Sequence, residues 1–343
     1  MDMWSKEGMP FIIAEMSGNH NQSLERALAI VDAAAAAGVD AVKIQTYTAD
    51  TMTLDIAAGE FFIADQESLW KGESLYRLYE KAHTPWEWHK TIFDRCREHG
   101  IMGFSTPFDD SSVDFLEELD VPCYKIASFE NVDLPLIRKV ARTGKPMIAS
   151  TGMTTVSELE DLVRVARENG CRDLTLLKCT SSYPASAEGT NLRTIPHMRE
   201  LFNCGVGLSD HTLGIGVAVA SIALGASVIE KHFTLSRADG GVDAAFSLEP
   251  DEMAQLVREC RAAALAMGEV RYEIAEQEKK SLRFRRSLYI VEDMKAGDAI
   301  TEENVRRIRP GHGLSPKYNG MILGKRINRD VKRGTPMSWD LLM

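Results

Sequence analysis

The chain has 343 residues, a net charge of -10 and 44% hydrophobic residues, enough for one large domain and a small one. The acidic balance excludes a general nucleic-acid binder, because phosphate backbones call for a basic surface. Six scattered cysteines with no CxxC pair exclude a zinc ribbon or a disulfide framework, and no run is apolar enough to span a bilayer, so a cytoplasmic protein is expected.

From residue 11 to 268, short apolar runs alternate with amphipathic stretches. The predicted strands are FIIAEMS (11–17), AVKIQTY (41–47), GFSTPF (103–108), CYKIAS (123–128), PMIAST (146–151), LTLLKC (174–179), VGLSDH (206–211) and SVIEKHF (227–233). Stretches such as LERALAIVDAAAAAGV and ELEDLVRVARENG between them read as helices. Several close on glycine (Gly38, Gly100, Gly144, Gly170, Gly225), which tolerates the left-handed turn that ends a helix. Eight strand-then-helix units predict an α/β fold, a (β/α)8 TIM barrel over residues 1–268. No GxGxxG follows an early strand, which speaks against dinucleotide binding.

Residues 48–84 are too long for an ordinary connection. They carry Phe61, Phe62, Trp70, Tyr76 and Tyr79, and either cover the barrel mouth or form a packing excursion held by these aromatics. Residues 269–285 are charged, like a linker or solvated helix. Residues 286–343 read as short strands with turns at Ala296-Gly297, Pro310-Gly311 and Arg333-Gly334, a small mostly-β domain.

The carboxyl ends of the strands open onto one face of such a barrel, where its chemistry is done. His211 and His232 end two neighbouring strands, with Asp210 and Glu230 beside them. Two imidazoles arriving there suit one divalent metal ion, the alternative being buried, hydrogen-bonded histidines. Lysines within apolar strands need a partner. Lys178 and Lys231 fit ion pairs, whereas Lys43 and Lys125, among hydroxyls, fit ligands for a phosphate or carboxylate, or a Schiff-base lysine.

EMSGNHNQSLERA, VKIQTYT, FSTPF, YKIASFE, STGM, CTSSYP, GLSDHT and EKHFT, in this order, resemble the sialic acid synthase family. The tail resembles that family's small antifreeze-like (SAF) domain. Members condense phosphoenolpyruvate with an amino sugar to give nine-carbon sugar acids. KIQTYTADTMTL, LWKGESLYRLYEKAHTPWEWH and RFRRSLY are most similar to the branch that takes 2,4-diacetamido-2,4,6-trideoxy-β-L-altropyranose. The N-acetylneuraminate and legionaminic acid branches are the nearest alternatives. An aldolase or 3-deoxy-sugar-phosphate synthase on the same barrel, and a non-catalytic sugar-binding barrel, are more distant ones.

The resemblance implies that His211 and His232 hold Mn2+, Mg2+ or Co2+. It implies that Lys43, Thr106, Lys125, Ser128 and Ser209 contact phosphoenolpyruvate, with Tyr183 near its carboxylate. Ser181 stands where the family has Asn. Glu15, Gln45, Glu130 and Asp243 match positions around the sugar and the reacting centre, and Glu130 is the expected base for water. Phe129 replaces a small residue and offers an apolar wall to a 6-deoxy sugar. Arg309 matches an arginine that reaches the partner's sugar site, which implies a domain-swapped homodimer.

Overall fold

The computed structural model describes Trp4, residues 8–65 and residues 69–343, so three residues of the insert, 66–68, lie outside the described residues. The chain divides into two compact units, residues 1–268 and 269–343.

The first unit begins with β1 (Phe11–Glu15), α1 (Leu24–Ala37), β2 (Ala41–Thr46), α2 (Ala49–Met52), α3 (Leu75–Ala82) and α4 (His89–Glu98). It continues with β3 (Met102–Pro107), α5 (Asp110–Glu118), β4 (Tyr124–Ile126), α6 (Leu134–Arg142), β5 (Met147–Ser150) and α7 (Val156–Glu168). β6 (Leu174–Cys179), α8 (Thr194–Phe202), β7 (Gly205–Asp210), α9 (Gly216–Ala223), β8 (Val228–His232) and α10 (Pro250–Met267) complete it. The strands pair in sequence order, parallel throughout, and β8 closes on β1. The (β/α)8 barrel expected from the alternation is the observed architecture. Most strands end one or two residues earlier than their apolar runs, because the last residues of each run turn into the loops at the mouth.

The side-chain period of two sorts each strand into an inward and an outward set. Outward residues such as Ile12, Ala14, Val42, Ile44 and Ile229 pack beneath the helices in the largest apolar cluster. Inward residues fill the lower barrel as a plug of Phe11, Ile13, Ala41, Phe104, Ile148, Leu177 and Val228, with Trp4 against Phe11 at 5.2 Å between ring centroids. Full burial of each large side chain contributes about 1.5–3 kcal/mol. Gly207 lets β7 and β8 close on this plug, since a Cβ there would strike the Val228 carbonyl. Helix ends are set locally. Ser23 caps α1 by accepting from the Arg26 amide, and Gly38 ends it at φ 86°.

The insert returns on itself. The Ile63 amide donates to the Glu73 carbonyl at 3.0 Å, and the Gly72 amide to the Ile63 carbonyl at 2.9 Å. Trp70 Nε1 then donates to the Val242 carbonyl at 2.9 Å, which ties the insert to the loop after β8. The insert therefore does both things expected of it, packing by its aromatics and covering the mouth.

The second unit holds two antiparallel strands, β9 (Ser287–Ile290) and β10 (Val305–Ile308). Its other extended segments meet in isolated bridges, such as Met294 with Val331 and Ile327 with Leu342. Leu288, Ile290, Ile300, Val305, Ile327 and Met337 make its core. Residues 276–284 form an exposed 3-10 helix that groups with this unit. No helix among the described residues is long and apolar enough to cross a membrane.

One outward pair braces the mouth from behind. Lys231 Nζ meets Asp210 Oδ2 at 2.7 Å, and both side chains are almost wholly buried. Lys231 also donates to the Thr212 carbonyl at 2.6 Å, and Asp210 Oδ1 accepts from the Thr212 amide and hydroxyl. Lys178 has no ion-pair partner among the described residues and donates to the Cys179 carbonyl at 2.8 Å. Removing one partner of a buried pair strands the other charge. Lys231→Met is thus expected to destabilise the barrel by about 3–5 kcal/mol in urea unfolding. The double variant Lys231→Met/Asp210→Asn should lose less, and equal losses would refute the pairing.

Candidate active site

Inward residues of the upper barrel are polar, and they meet at one cavity of about 540 Å³. Its floor is a buried charge group. Lys43, Lys125, Glu15 and Glu230 are each 5% exposed or less. Lys43 Nζ lies 2.5 Å from Glu15 Oε2 and 3.9 Å from Glu230 Oε2, and Lys125 Nζ lies 3.8 Å from Glu230 Oε1. The register sets these approaches, because Glu15 stands opposite Lys43 on β2 and His232 on β8. Neutral donors and acceptors complete the group. Lys43 donates to Thr106 Oγ1 at 3.1 Å, Lys125 to Ser150 Oγ at 2.7 Å, Ser209 Oγ to Glu230 Oε1 at 3.1 Å and Gln45 Nε2 to Glu15 Oε1 at 3.1 Å.

Burial divides the ionisation of these groups. It pushes Glu15 up to about 7 against the pull of Lys43, with Glu230 adding to the rise. Burial also works against the charge on Glu230, yet Lys125, Lys43 and the Ser209 hydroxyl hold its carboxyl below the ordinary value. Burial lowers Lys125 despite Glu230, whereas Glu15 and Glu230 outweigh burial and raise Lys43. The floor thus keeps a cationic character that suits an anion.

Beside it the serines of two loops close over Gly152. The Gly152 amide donates to Ser128 Oγ at 3.1 Å, and a Cβ there would collide with the hydroxyls of Ser128 and Ser181. Glycine leaves these hydroxyls room to converge. Thr106 is fully buried beneath Lys43, and Ser181 Oγ lies 3.8 Å from Cys179 Sγ.

The two histidines come together with ring centroids 5.3 Å apart. His211 Nδ1 donates to the Thr180 carbonyl at 3.0 Å, which leaves Nε2 as the free ring nitrogen. Cys179 Sγ lies 3.8 Å from the same Nδ1. His232 Nδ1 is buried with no hydrogen-bond partner among the described residues and lies 3.9 Å from Asp243 Oδ2. Burial, then His211 and the lysines, hold His232 well below the ordinary value and keep it neutral. Asp243 accepts from the Ser17 hydroxyl. Two imidazoles with an open ring nitrogen each fit a divalent ion that draws its other ligands from substrate or water. Among the described residues no group of three or more His, Cys, Asp or Glu gathers as a metal cluster.

Of the residues singled out in the sequence, Glu15, Lys43, Gln45, Lys125, Ser128, Phe129, Glu130, Tyr183, Ser209, His211, His232 and Asp243 all line this cavity. Phe129 stands at the rim, 59% exposed. Glu130 reaches the cavity with Oε2 buried and without a hydrogen-bond partner among the described residues, and burial pushes its carboxyl up to about 7. Arg309 follows β10 in the second unit and is exposed. Sequence reasoning gave no role to Cys179, Ser150, Ile63, Leu75 or Leu78, which also line the cavity beside Trp70 and Tyr79 of the insert. Glu230 lies beside His232 and Lys231 is ion-paired, as the sequence placed them, and the period of two agrees, since Glu230 shares the inward face with His232 while Lys231 points out.

The NeuB family profile matches residues 30–272, and the SAF domain profile residues 285–343. A pseudaminic acid synthase from Campylobacter jejuni is 45% identical over 324 residues, 94% of each chain. One from Helicobacter pylori is 43% identical, over 96% of this chain and 97% of the relative. The crystal structure of an N-acetylneuraminic acid (sialic acid) synthetase from Leptospira borgpetersenii in complex with citrate superposes with a TM-score of 0.70 at 30% identity. That match covers 81% of this chain and 91% of the other.

Proposed function

We propose that this chain, which belongs to the NeuB family, is a pseudaminic acid synthase. It condenses phosphoenolpyruvate with 2,4-diacetamido-2,4,6-trideoxy-β-L-altropyranose and water to give pseudaminic acid and phosphate. The observation that carries this reading is the cavity floor, where two buried lysines and a pair of imidazoles face the same space.

Lys43 and Lys125 bind the phosphoenolpyruvate anion, with the hydroxyls of Thr106, Ser128, Ser181 and Ser209 and the ring of Tyr183 around it. Gln45, Asp243 and Phe129 contact the sugar. His211 and His232 would hold a divalent ion, which supplies Lewis acidity at the sugar's carbonyl oxygen when bound. The methylene carbon of phosphoenolpyruvate forms the new bond to the aldehyde carbon of the ring-opened sugar as the C=O π bond breaks, and the former aldehyde oxygen takes a proton from protonated Glu15. Glu130 takes a proton from the water that adds to the carbon bearing phosphate. The resulting tetrahedral centre expels phosphate by C–O cleavage, and Lys43 and Lys125 stabilise the charge that accumulates on it. Glu15, bonded to Gln45 and paired with Lys43, holds both in place and is suited to pass a proton at near-neutral pH.

The defining experiment supplies phosphoenolpyruvate labelled with 18O at the bridging oxygen, together with the diacetamido-trideoxy sugar or N-acetylmannosamine. A nine-carbon acid from the first sugar, with the label in phosphate, is expected. Comparable rates with both sugars would refute the assigned sugar, and unlabelled phosphate would refute C–O cleavage.

Glu130 acts as a base only once it has lost its proton, and burial raises its value to about 7. The rate should therefore climb as pH rises through about 7. Glu130→Gln should remove that limb and lower kcat about 10²–10⁴-fold. A variant that keeps the limb would assign it to another group.

The homodimer implied by the resemblance is part of the same proposal, each chain's Arg309 serving the other chain's sugar site. Mixing an Arg309→Ala chain with a His211→Ala chain should then restore activity that neither has alone. No recovery after confirmed subunit exchange would exclude the arrangement.

A further inference from the structure

The roof of the cavity is made by a helix whose leucines belong to none of the apolar clusters among the described residues. On α3 the residues Leu75, Leu78, Tyr79 and Ala82 line the cavity, at the i, i+3, i+4, i+7 spacing of one helical face. The opposite face carries Tyr76, Arg77, Glu80 and Lys81. Such a stripe ordinarily buries itself in a core. The described residues form three apolar clusters, and neither Leu75 nor Leu78 belongs to any of them. Both stay half-buried over the catalytic cavity, with Ile63 of the insert lining it as well.

The helix is also held firmly. Ser74 caps its start by accepting from the Arg77 amide. At its other end Gln22 Nε2 donates to the Lys81 and His83 carbonyls at 3.0 and 2.7 Å. Ala82 lies so close to Gly18 that a Cβ on Gly18 would come within 3.2 Å of the Ala82 Cα. Tyr79 packs edge-on against Tyr47 at 5.8 Å. The leucines therefore face the cavity from a fixed support, which is what a selective contact requires.

We propose that Leu75 and Leu78 determine sugar specificity by forming the apolar wall for the methyl-bearing end of the substrate. This rests on the proposed function, whose sugar carries a 6-methyl and a 4-acetamido group where N-acetylmannosamine carries hydroxyls. The floor of buried charges takes the anion, and the roof takes the methyls. A hydroxyl placed against the leucines loses its water without gaining a partner, which disfavours the hydroxylated sugar.

The test compares Leu78→Asn and Leu75→Asn with the conservative Leu78→Met and with Arg77→Ala on the outer face, all checked for native circular dichroism. Steady-state kinetics are measured with the diacetamido-trideoxy sugar and with N-acetylmannosamine. In each Asn variant kcat/KM for the diacetamido-trideoxy sugar should fall about tenfold or more, while KM for phosphoenolpyruvate stays within about twofold. The ratio between the two sugars should shift toward N-acetylmannosamine, and Leu78→Met and Arg77→Ala should keep the original preference. Unchanged kcat/KM in the Asn variants, or equal losses for both sugars, would overturn the inference and leave the proposed reaction standing. A wild-type enzyme that does not turn over the diacetamido-trideoxy sugar would overturn the proposed reaction instead.

Discussion

Everything at the mouth of this barrel depends on how two lysines and two glutamates share their charge inside it. Lys43, Lys125, Glu15 and Glu230 would each be costly to bury alone. They are affordable only together, and only if neighbouring strands bring them within reach in the right register. Parallel pairing of β1 with β2 and of β8 with β1 does this, placing Glu15 between Lys43 and His232. The apolar plug below them, from Phe11 to Val228, keeps water from reaching the group from the far end. The same plug fixes the inward parity that makes every second residue above it polar.

That parity explains what the sequence could and could not reveal. The eight strands and their order were legible because fully buried strands are short continuous apolar runs, and glycines such as Gly38 mark the helix ends between them. His211 and His232 were legible because each ends such a run. Glu230 and Lys231 are adjacent in the sequence, yet the first faces the cavity and the second braces Asp210 from behind. Counting back two residues from His232 settles this with no structure at all. Other features depended on contacts far apart in the chain. The bond from Trp70 to Val242 links residues 172 positions apart, and no local pattern announces it. The second unit was legible as short extended segments between turns, most of which meet in single bridges.

The histidine pair adds a constraint that a list of ligands would miss. His211 spends Nδ1 on the Thr180 carbonyl, so its tautomer is set before any ion arrives. His232 is held neutral by burial and by its cationic neighbours. A neutral imidazole is the form that binds a metal, so the lysines that suit the floor to an anion also prepare one ligand beside it.

Polar floor and apolar roof come from different parts of the sequence, and this division bears on how such a site changes. The floor is drawn from strand ends whose registers are locked by the barrel, so altering one residue there disturbs its charged partners as well. The roof is drawn from an insert, and the leucines of α3 touch the cavity without supporting a core. Substituting them changes what the cavity prefers at little cost to the fold, because no apolar cluster depends on them. Coupled charges below and separable apolar contacts above are therefore a consequence of where the fold places each set of residues. The proposed anion site is bound to the register of the strands, and the proposed sugar wall to a helix that the register does not constrain.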